Sequence, residues 1–190
     1  MVRGYSLFSE VESFGLEDQR SEMAQEPDIT VRRVKASDAD RVVAFVNRVL
    51  MGQTAIDRLA VVERLGDVGL LVAEQGGDLV GMIGWQAENL VARVTDFLIG
   101  PVSGRVAVGR ALFERVERAA GELQCEAVLL FMPCPPSPEM TGFCQALGYE
   151  PRLVADLPRV WQEVARETQT GQDGTVWMKQ LRARRVVRPL

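Results

Sequence analysis

The sequence of 190 residues has no histidine and only three cysteines, Cys125, Cys134 and Cys144. The lack of histidine excludes a Cys/His zinc site, Ser-His-Asp and Cys-His catalytic sets and a metalloprotease helix. We therefore expect no metal. The cysteines are odd in number and lack paired spacing, which favours free thiols and a cytoplasmic location. Proton transfer at an active site must then use Asp, Glu, Tyr, Cys, Lys or water.

Long apolar runs and a strong net charge are also missing. No run reaches the roughly 18 residues of a membrane-spanning helix, and the first residues lack the basic-then-apolar layout of a signal peptide. The net charge of −4 argues against broad electrostatic capture of nucleic acid. A content of 47% hydrophobic and 25% charged residues is typical of one globular domain, with or without tails.

The charge distribution divides the chain into three regions. Residues 1–27 form an acidic extension, 28–181 the folded domain and 182–190 a basic tail with four arginines. The apolar residues of the extension could dock on the domain. The tail could touch RNA or an acidic partner, but a solvated tail, or one paired with the acidic extension, is the interpretation we favour.

Hydrophobic periodicity predicts the element order β-α-α-β-β-β-α-β-α-β-(α)-β. Three antiparallel strands followed by a helical crossover imply a parallel neighbour. The fold class is thus one α/β (α+β) domain with a mixed, mostly antiparallel sheet flanked by helices. The predicted strands are 29–34, 69–74, 79–87, 90–99, 126–132, a stretch from Tyr149, and 175–181. The predicted helices start at a capping box at Ser37, and lie at 54–65, 108–123, 138–147 and 157–168.

The segment 97–112, FLIGPVSGRVAVGRAL, is the most informative in the chain. A helix that follows a loop of small residues (102–107) exposes unpaired backbone N–H groups, which together with the helix dipole favour a phosphate. The backbone from Val106 to Arg110 could wrap a pyrophosphate, and Arg105 and Arg110 could add charge. A simple strand-to-helix connection is the alternative.

This segment and its context resemble the GNAT superfamily, the GCN5-related N-acetyltransferases. Ile99-Gly100-Pro101 stands for the family's Val-x-Pro. The signature Arg/Gln-x-x-Gly-x-Gly/Ala falls on Gly104, Ala107 and Gly109. ITVRRVKASDAD resembles the family's first strand and helix start, GFCQALGYEP its Phe-Tyr-x-x-Leu-Gly-Phe motif, and TVWMKQL its closing strand. The resemblance covers roughly 29–181.

The resemblance implies a GNAT-like fold and an acyl-CoA-dependent N-acyltransferase, most simply an N-acetyltransferase. Acetyl-CoA would be the cosubstrate, and a primary amine of a small molecule or peptide would attack its thioester directly. A homodimer is a possible assembly, while neither nucleic acid nor a membrane is expected as a partner. The implied cofactor-binding residues are Phe97, Leu98 and Ile99 along the pantetheine arm, Gly104, Arg105, Val106, Ala107, Val108, Gly109 and Arg110 at the pyrophosphate, and Ser137. Ser137 equally suits a helix N-cap, the role that we favour.

The chain departs from the family at several positions. Gly104 replaces the signature Arg/Gln, Ala107 replaces the first glycine, and Cys144 replaces the tyrosine that often protonates the departing thiolate. We expect Cys144 either to take that role or simply to pack beneath its helix.

The family often has an acid or a histidine as base at the positions of Arg93 or Thr95, and neither residue here can serve. Strand alternation predicts that Arg93, Thr95 and Phe97 share a face and that Asp96 points away. Glu88 is then the best acid for a general base, with a solvated turn residue as its other interpretation, and a water chain could suffice. These departures keep open an alternative function, a degenerate GNAT fold that binds acyl-CoA or regulates without turnover.

Overall fold

The computed structural model describes residues 28–51, 55–132, 136–167 and 174–183, which form one mixed sheet covered by helices. The predictions for the extension 1–27, for Cys134 and for residues 184–190 of the tail lie outside these residues. The strands are β1 (Ile29–Arg33), β2 (Gly69–Gln75), β3 (Asp78–Glu88), β4 (Val91–Ile99), β5 (Ala127–Leu130), β6 (Glu150–Leu153) and β7 (Thr175–Gln180). The helices are α1 (Ala39–Val49), α2 (Arg58–Asp67), α3 (Arg105–Glu122), α4 (Pro138–Ala146) and α5 (Arg159–Glu167).

The strands lie in the order β1-β2-β3-β4-β5-β7-β6. Strands β1 to β4 are antiparallel to one another, β5 runs parallel to β4, and β7 is antiparallel to both β5 and β6. The parallel step is the one that the long helix α3 connects, as a crossover requires. The predicted element order and the mixed, mostly antiparallel sheet are therefore confirmed.

Helices α2 and α3 begin several residues away from their predicted starts. Helix α2 begins at Arg58 rather than at 54, because the Asp57 side chain accepts a hydrogen bond from Ala60 N at 2.8 Å and caps it there. Helix α3 begins at Arg105, three residues before the predicted start, because Gly104 adopts a left-handed conformation (φ 78°) that ends the loop.

The start of α1 also differs from the prediction. Ser37 lies in a short 3-10 turn, and the helix begins two residues later at Ala39. The buried Asp38 organises this turn, since its carboxylate accepts hydrogen bonds from Lys35 N at 2.8 Å and from the Arg32 guanidinium at 2.7 Å. The side-chain hydrogen bond from Arg32 lowers the pKa of Asp38 to about 2. The predicted capping role of Ser37 was wrong.

Three hydrophobic clusters hold the layers together. The α3-side core packs α3 and α4 on one face of the sheet. On the opposite face, the α1–α2-side core covers β2 to β4 and the α5-side core covers β5 and β7. No helix among the described residues is long and apolar enough to cross a membrane.

The turn between β3 and β4 contains a strained residue. Asn89 and Leu90 both have positive φ angles, 50° and 65°, which defines a two-residue hairpin turn one position later than the predicted Glu88-Asn89. Asparagine tolerates this region, but a leucine there brings its Cβ close to the backbone. The Leu90 side chain is 42% exposed and therefore contributes little packing in return.

We expect Leu90→Gly to stabilise the protein by about 1 kcal/mol, roughly 2–4 °C in Tm, because glycine removes the left-handed penalty. Thermal unfolding measures the effect. Leu153→Gly is the matched control: Leu153 is 55% exposed in β6 with an ordinary φ of −71°, so the same substitution should lower Tm. A drop in Tm for Leu90→Gly would show that the turn carries no strain.

Candidate active site

Strands β4 and β5 separate partway along their length. Their parallel pairing joins Val91–Val94 to Ala127–Leu130 and ends there, whereas β4 continues to Ile99 on its pairing with β3. The segment Thr95–Ile99 therefore lies beyond the end of the β4–β5 ladder. The result is an opening in the sheet with a strand edge along one side, suited to an extended ligand that carries amide groups.

Helix α3 begins close to the end of this strand segment. Gly100 N donates to Val80 O at 2.9 Å, which keeps the chain beside β3, and Arg105 starts the helix five residues later. The first hydrogen bond of the helix runs from Val108 N to Gly104 O at 3.1 Å. The N–H groups of the first turn precede that bond, and together with the helix dipole they suit an anionic group.

The predicted pyrophosphate residues divide by their surroundings. Gly104 and the first-turn residues Arg105, Val106 and Ala107 are exposed or half-buried, and Arg110 is exposed. They remain the predicted phosphate segment.

Two other members of the predicted set hold the helix in place. The fully buried Val108 fills the space that Gly81 leaves, where a Cβ would lie 2.7 Å from Val108 Cγ1. A Cβ on Gly109 would lie 2.6 Å from Cζ of Phe143, so this glycine allows α3 and α4 to approach closely. Packing against Gly81 and Phe143 therefore accounts for the valine at 108 and the glycine at 109.

The three predicted pantetheine-arm residues have side chains that pack into the hydrophobic cores on both faces of the sheet. The Phe97 ring belongs to the α3-side core, 5.1 Å from the Phe113 ring centroid and 6.1 Å from that of Phe143. Leu98 packs in the α1–α2-side core, and Ile99 packs partly against the α3 side. Because these side chains pack on both faces of the sheet, only the strand backbone is placed to contact a ligand in the opening.

A β-bulge at Thr95 changes the predicted alternation of side chains along β4. Asp96 pairs with Gly84 and Val94 with Trp85, so Thr95 is an extra residue with no partner position on β3. Beyond the bulge, Phe97 faces the same core as Val94. The prediction that Arg93, Thr95 and Phe97 share a face was wrong.

The bulge places Asp96, which alternation alone had set aside, just beyond the end of the β4–β5 ladder. Its Oδ2 accepts hydrogen bonds from Thr95 Oγ1 at 2.7 Å and from Arg64 Nη2 and Nε at 2.7 and 3.1 Å. Its side chain is 17% exposed, and the hydrogen bonds that the described residues donate to it end on Oδ2. Gly84, a buried glycine inside a strand, was the signal for a bulge at this point.

Glu88, the predicted base, lies at the other end of β4. It is exposed and pairs with Val91, four residues before Thr95, which is about 13 Å along a strand. It lines a groove of about 740 Å³ on the α3 side, together with Trp85 and the second half of α3. The structure does not bring Glu88 to the opening between β4 and β5.

Cys144 is fully buried in the α3-side core, where its thiol lies 3.8 Å from Met132 Sδ. Burial raises the pKa of the thiol to about 12. Such a thiol stays protonated, and it is surrounded by apolar side chains. The surroundings favour the interpretation that Cys144 packs beneath α4 over its predicted role as the proton donor.

We expect Cys144→Ala to lower stability by about 1 kcal/mol, through loss of buried sulfur, and to change any acyl-transfer rate by less than about twofold. Cys125, also buried but at the end of α3, supplies the matched control Cys125→Ala. The measurement is the acyl-transfer rate of both variants and of the wild type between pH 6 and 9. A tenfold loss for Cys144→Ala alone, with CoA binding intact, would restore its predicted role as proton donor.

Ser137 takes the role favoured from the sequence. It is the N-cap of α4, its Oγ accepts a hydrogen bond from Met140 N at 3.2 Å, and Pro138 follows at the first helical position. This contact neither requires nor prevents a further bond to a ligand.

Solved structures with the same architecture belong to the GNAT acetyltransferases. An acetyltransferase of the GNAT family from Staphylococcus aureus Mu50 matches with a TM-score of 0.62 and 14% identity, over 81% of this chain and 99% of that one. The PaiA N-acetyltransferase from Thermoplasma acidophilum, in complex with coenzyme A, matches with a TM-score of 0.60 and 11% identity, over 80% and 98%.

The ribosomal-protein-S18-alanine N-acetyltransferase from Escherichia coli matches with a TM-score of 0.55 and 14% identity, over 79% and 90%. Comparisons of the sequence with protein-family models and with curated proteins give no match. The chain thus has the GNAT fold, and the resemblance that its motifs predicted is confirmed at the level of the fold.

Proposed function

We propose that this chain is an acyl-CoA-dependent N-acyltransferase, most simply an N-acetyltransferase that acts on a primary amine. One observation carries the proposal: the opening between β4 and β5 leads along Thr95–Ile99 to the start of α3. A strand edge followed by a helix N-terminus matches a ligand with an amide-bearing arm and a diphosphate. The structural neighbour from Thermoplasma acidophilum has coenzyme A bound, in agreement with this ligand class.

The described residues fit acyl-CoA in two places. The backbone of Gly104, Arg105, Val106 and Ala107 would hold the diphosphate, since these residues form the start of α3 and its first turn. The backbone of Thr95–Ile99 would hold the pantetheine arm and place an N–H group on the thioester oxygen. The thioester supplies an activated acyl group, so the protein need only bind, orient and move protons.

Asp96 is the group that we assign to the acceptor amine. Thr95 and Arg64 donate to Oδ2, which leaves Oδ1 as the atom that would receive the acceptor amine. A carboxylate fixed in this way can bind the ammonium form of the acceptor and, directly or through one water, take the proton that must leave before the free amine attacks the thioester. The departing thiolate would take its proton from solvent because Cys144 is buried.

The test is acetyl transfer from acetyl-CoA to a panel of small amines, polyamines and amino-terminal peptides, with the acetylated product detected by mass spectrometry. We expect product on at least one acceptor class and a loss of about a hundredfold in kcat for Asp96→Asn. Asp67→Asn, an exposed acid at the end of α2, is the matched control and should retain full activity. Binding of acetyl-CoA without transfer to any acceptor would instead favour the degenerate binding module, and absence of binding would overturn both functions.

A further inference from the structure

Strand β4 is tied to helix α2 at the bulge by one ion pair. Arg64 lies in the last turn of α2, and its Nη2 is 2.7 Å from Asp96 Oδ2. The pair is partly buried, since the Arg64 side chain is 37% exposed and the Asp96 side chain 17%. Removing one partner of such a pair costs more than breaking a surface ion pair, because the carboxylate that remains has little access to water.

The bulge itself is built around the same oxygen. Thr95 Oγ1 and two Arg64 nitrogens all donate to Asp96 Oδ2. Opposite them, a Cβ on Gly84 would collide with Asp96 Oδ2 and would lie 2.8 Å from Thr95 Oγ1. We call the arrangement of Arg64, Thr95, Asp96 and Gly84 the bulge lock: three hydrogen bonds meet on one oxygen, and the position opposite it has room only for a residue without a Cβ.

The bulge lock sits where β4 leaves β5. Pairing with β5 ends at Val94, and the extra residue Thr95 comes next. A bulge bends its strand and increases the local twist, so the position of the bulge sets the direction of the following N–H and C=O groups. Those groups belong to Thr95–Ile99, the segment assigned above to the pantetheine arm.

We propose that Arg64 is a positioning residue that acts through Asp96: it holds the bulge of β4 and thereby aligns Thr95–Ile99 for the acyl end of the cosubstrate. This inference rests on the proposed function. It also couples α2, on the α1–α2 side of the sheet, to the strand that would hold the thioester. Removing Arg64 should then impair binding of the pantetheine arm and leave the nucleotide end, at α3, untouched.

The experiment compares two probes on Arg64→Met, acetyl-CoA and ADP, where ADP carries the diphosphate but lacks the arm. We expect calorimetry to show a fall of about tenfold in acetyl-CoA affinity, a size typical of a residue that acts through a network. NMR titration should show an unchanged affinity for ADP. Arg64→Lys should recover part of the loss. In an Asp96→Asn background, Arg64→Met should have little further effect, because the two residues act through one contact.

Arg58→Met is the matched control. Arg58 lies at the start of the same helix and pairs with Asp40 on the exposed surface, 58% and 74% accessible. Arg58→Met should leave the affinities for acetyl-CoA and for ADP unchanged. Equal weakening of acetyl-CoA and ADP by Arg64→Met would indicate general loss of structure and overturn the inference, and so would no change in either.

Amide hydrogen exchange of the free protein separates this inference from the proposed function. Arg64→Met should speed exchange across Thr95–Ile99 more than across Val91–Val94, which stays paired with β5. If wild-type protein binds no acetyl-CoA, the proposed function fails, and exchange alone decides on the bulge lock. If Arg64→Met accelerated exchange equally in both segments of β4, the bulge lock would be contradicted.

Discussion

Replacing Gly104 with aspartate is expected to lower the affinity for acetyl-CoA by about a hundredfold, or roughly 2.8 kcal/mol, without unfolding the protein. Gly104 is the N-cap of α3 and has a φ of 78°. Aspartate tolerates left-handed backbone better than other charged residues, and a negative charge is favourable at a helix N-terminus, so the helix should persist. Its carboxylate would stand at the helix start, where the proposal places the diphosphate.

The expected size follows from electrostatics. Two like charges about 4 Å apart near a protein surface repel by about 4 kcal/mol, and salt reduces this further. Gly104→Asn is the matched control, since asparagine has the same shape and tolerates the same backbone without the charge. Calorimetric titration should show Gly104→Asn within about fivefold of wild type. Equal affinities for Gly104→Asp and wild type would remove the diphosphate from the start of α3.

Trp161→Ala should cost about 3–5 kcal/mol, the largest effect on stability that we expect from a single substitution. Trp161 is fully buried at the centre of the α5-side core, and its Nε1 donates to Asn89 O at 3.0 Å. The substitution would leave a cavity between α5 and the sheet and release the β3–β4 turn. Since domains of this kind are stable by about 5–15 kcal/mol, a large share of the total is lost.

Thermal unfolding should show a fall of about 10 °C for Trp161→Ala, at roughly 2–4 °C per kcal/mol for a chain of this size. Trp161→Phe is the control that keeps most of the ring volume and loses the hydrogen bond to Asn89. It should cost about 1–3 kcal/mol. A Tm for Trp161→Ala within about 3 °C of wild type would show that α5 contributes little to the domain.

Local patterns predicted the fold well because each element carries its own signal. The Gly76-Gly77 turn has φ angles of 59° and 89° and joins two strands as its sequence predicts. Helix starts were predicted less well, since they depend on contacts between distant residues. Ser37 is a residue type common at helix caps, yet the contact of the buried Asp38 with Arg32 on β1 decides where the turn lies.

The candidate site was predicted in part. The segment from Gly104 to Ala107 could be proposed as a phosphate site because small residues before a helix are visible in sequence, and its role stays a prediction. Alternation could not suggest Asp96 as a candidate acid, because one bulge residue, Thr95, inverts the faces of β4 beyond it. Recognition of Gly84 as the partner of a bulge would have pointed to Asp96. The burial of Cys144 depends on how α4 packs against Met132, which no local pattern contains.

The central claim, that acyl-CoA lies along β4 and ends at α3, is tested most directly by amide hydrogen exchange of wild-type protein with and without saturating acetyl-CoA. The account predicts increased protection in two separate segments, Thr95–Ile99 and Gly104–Ala107, and little change in Val91–Val94, which already pairs with β5. Binding of acetyl-CoA that leaves both segments unprotected would contradict the claim.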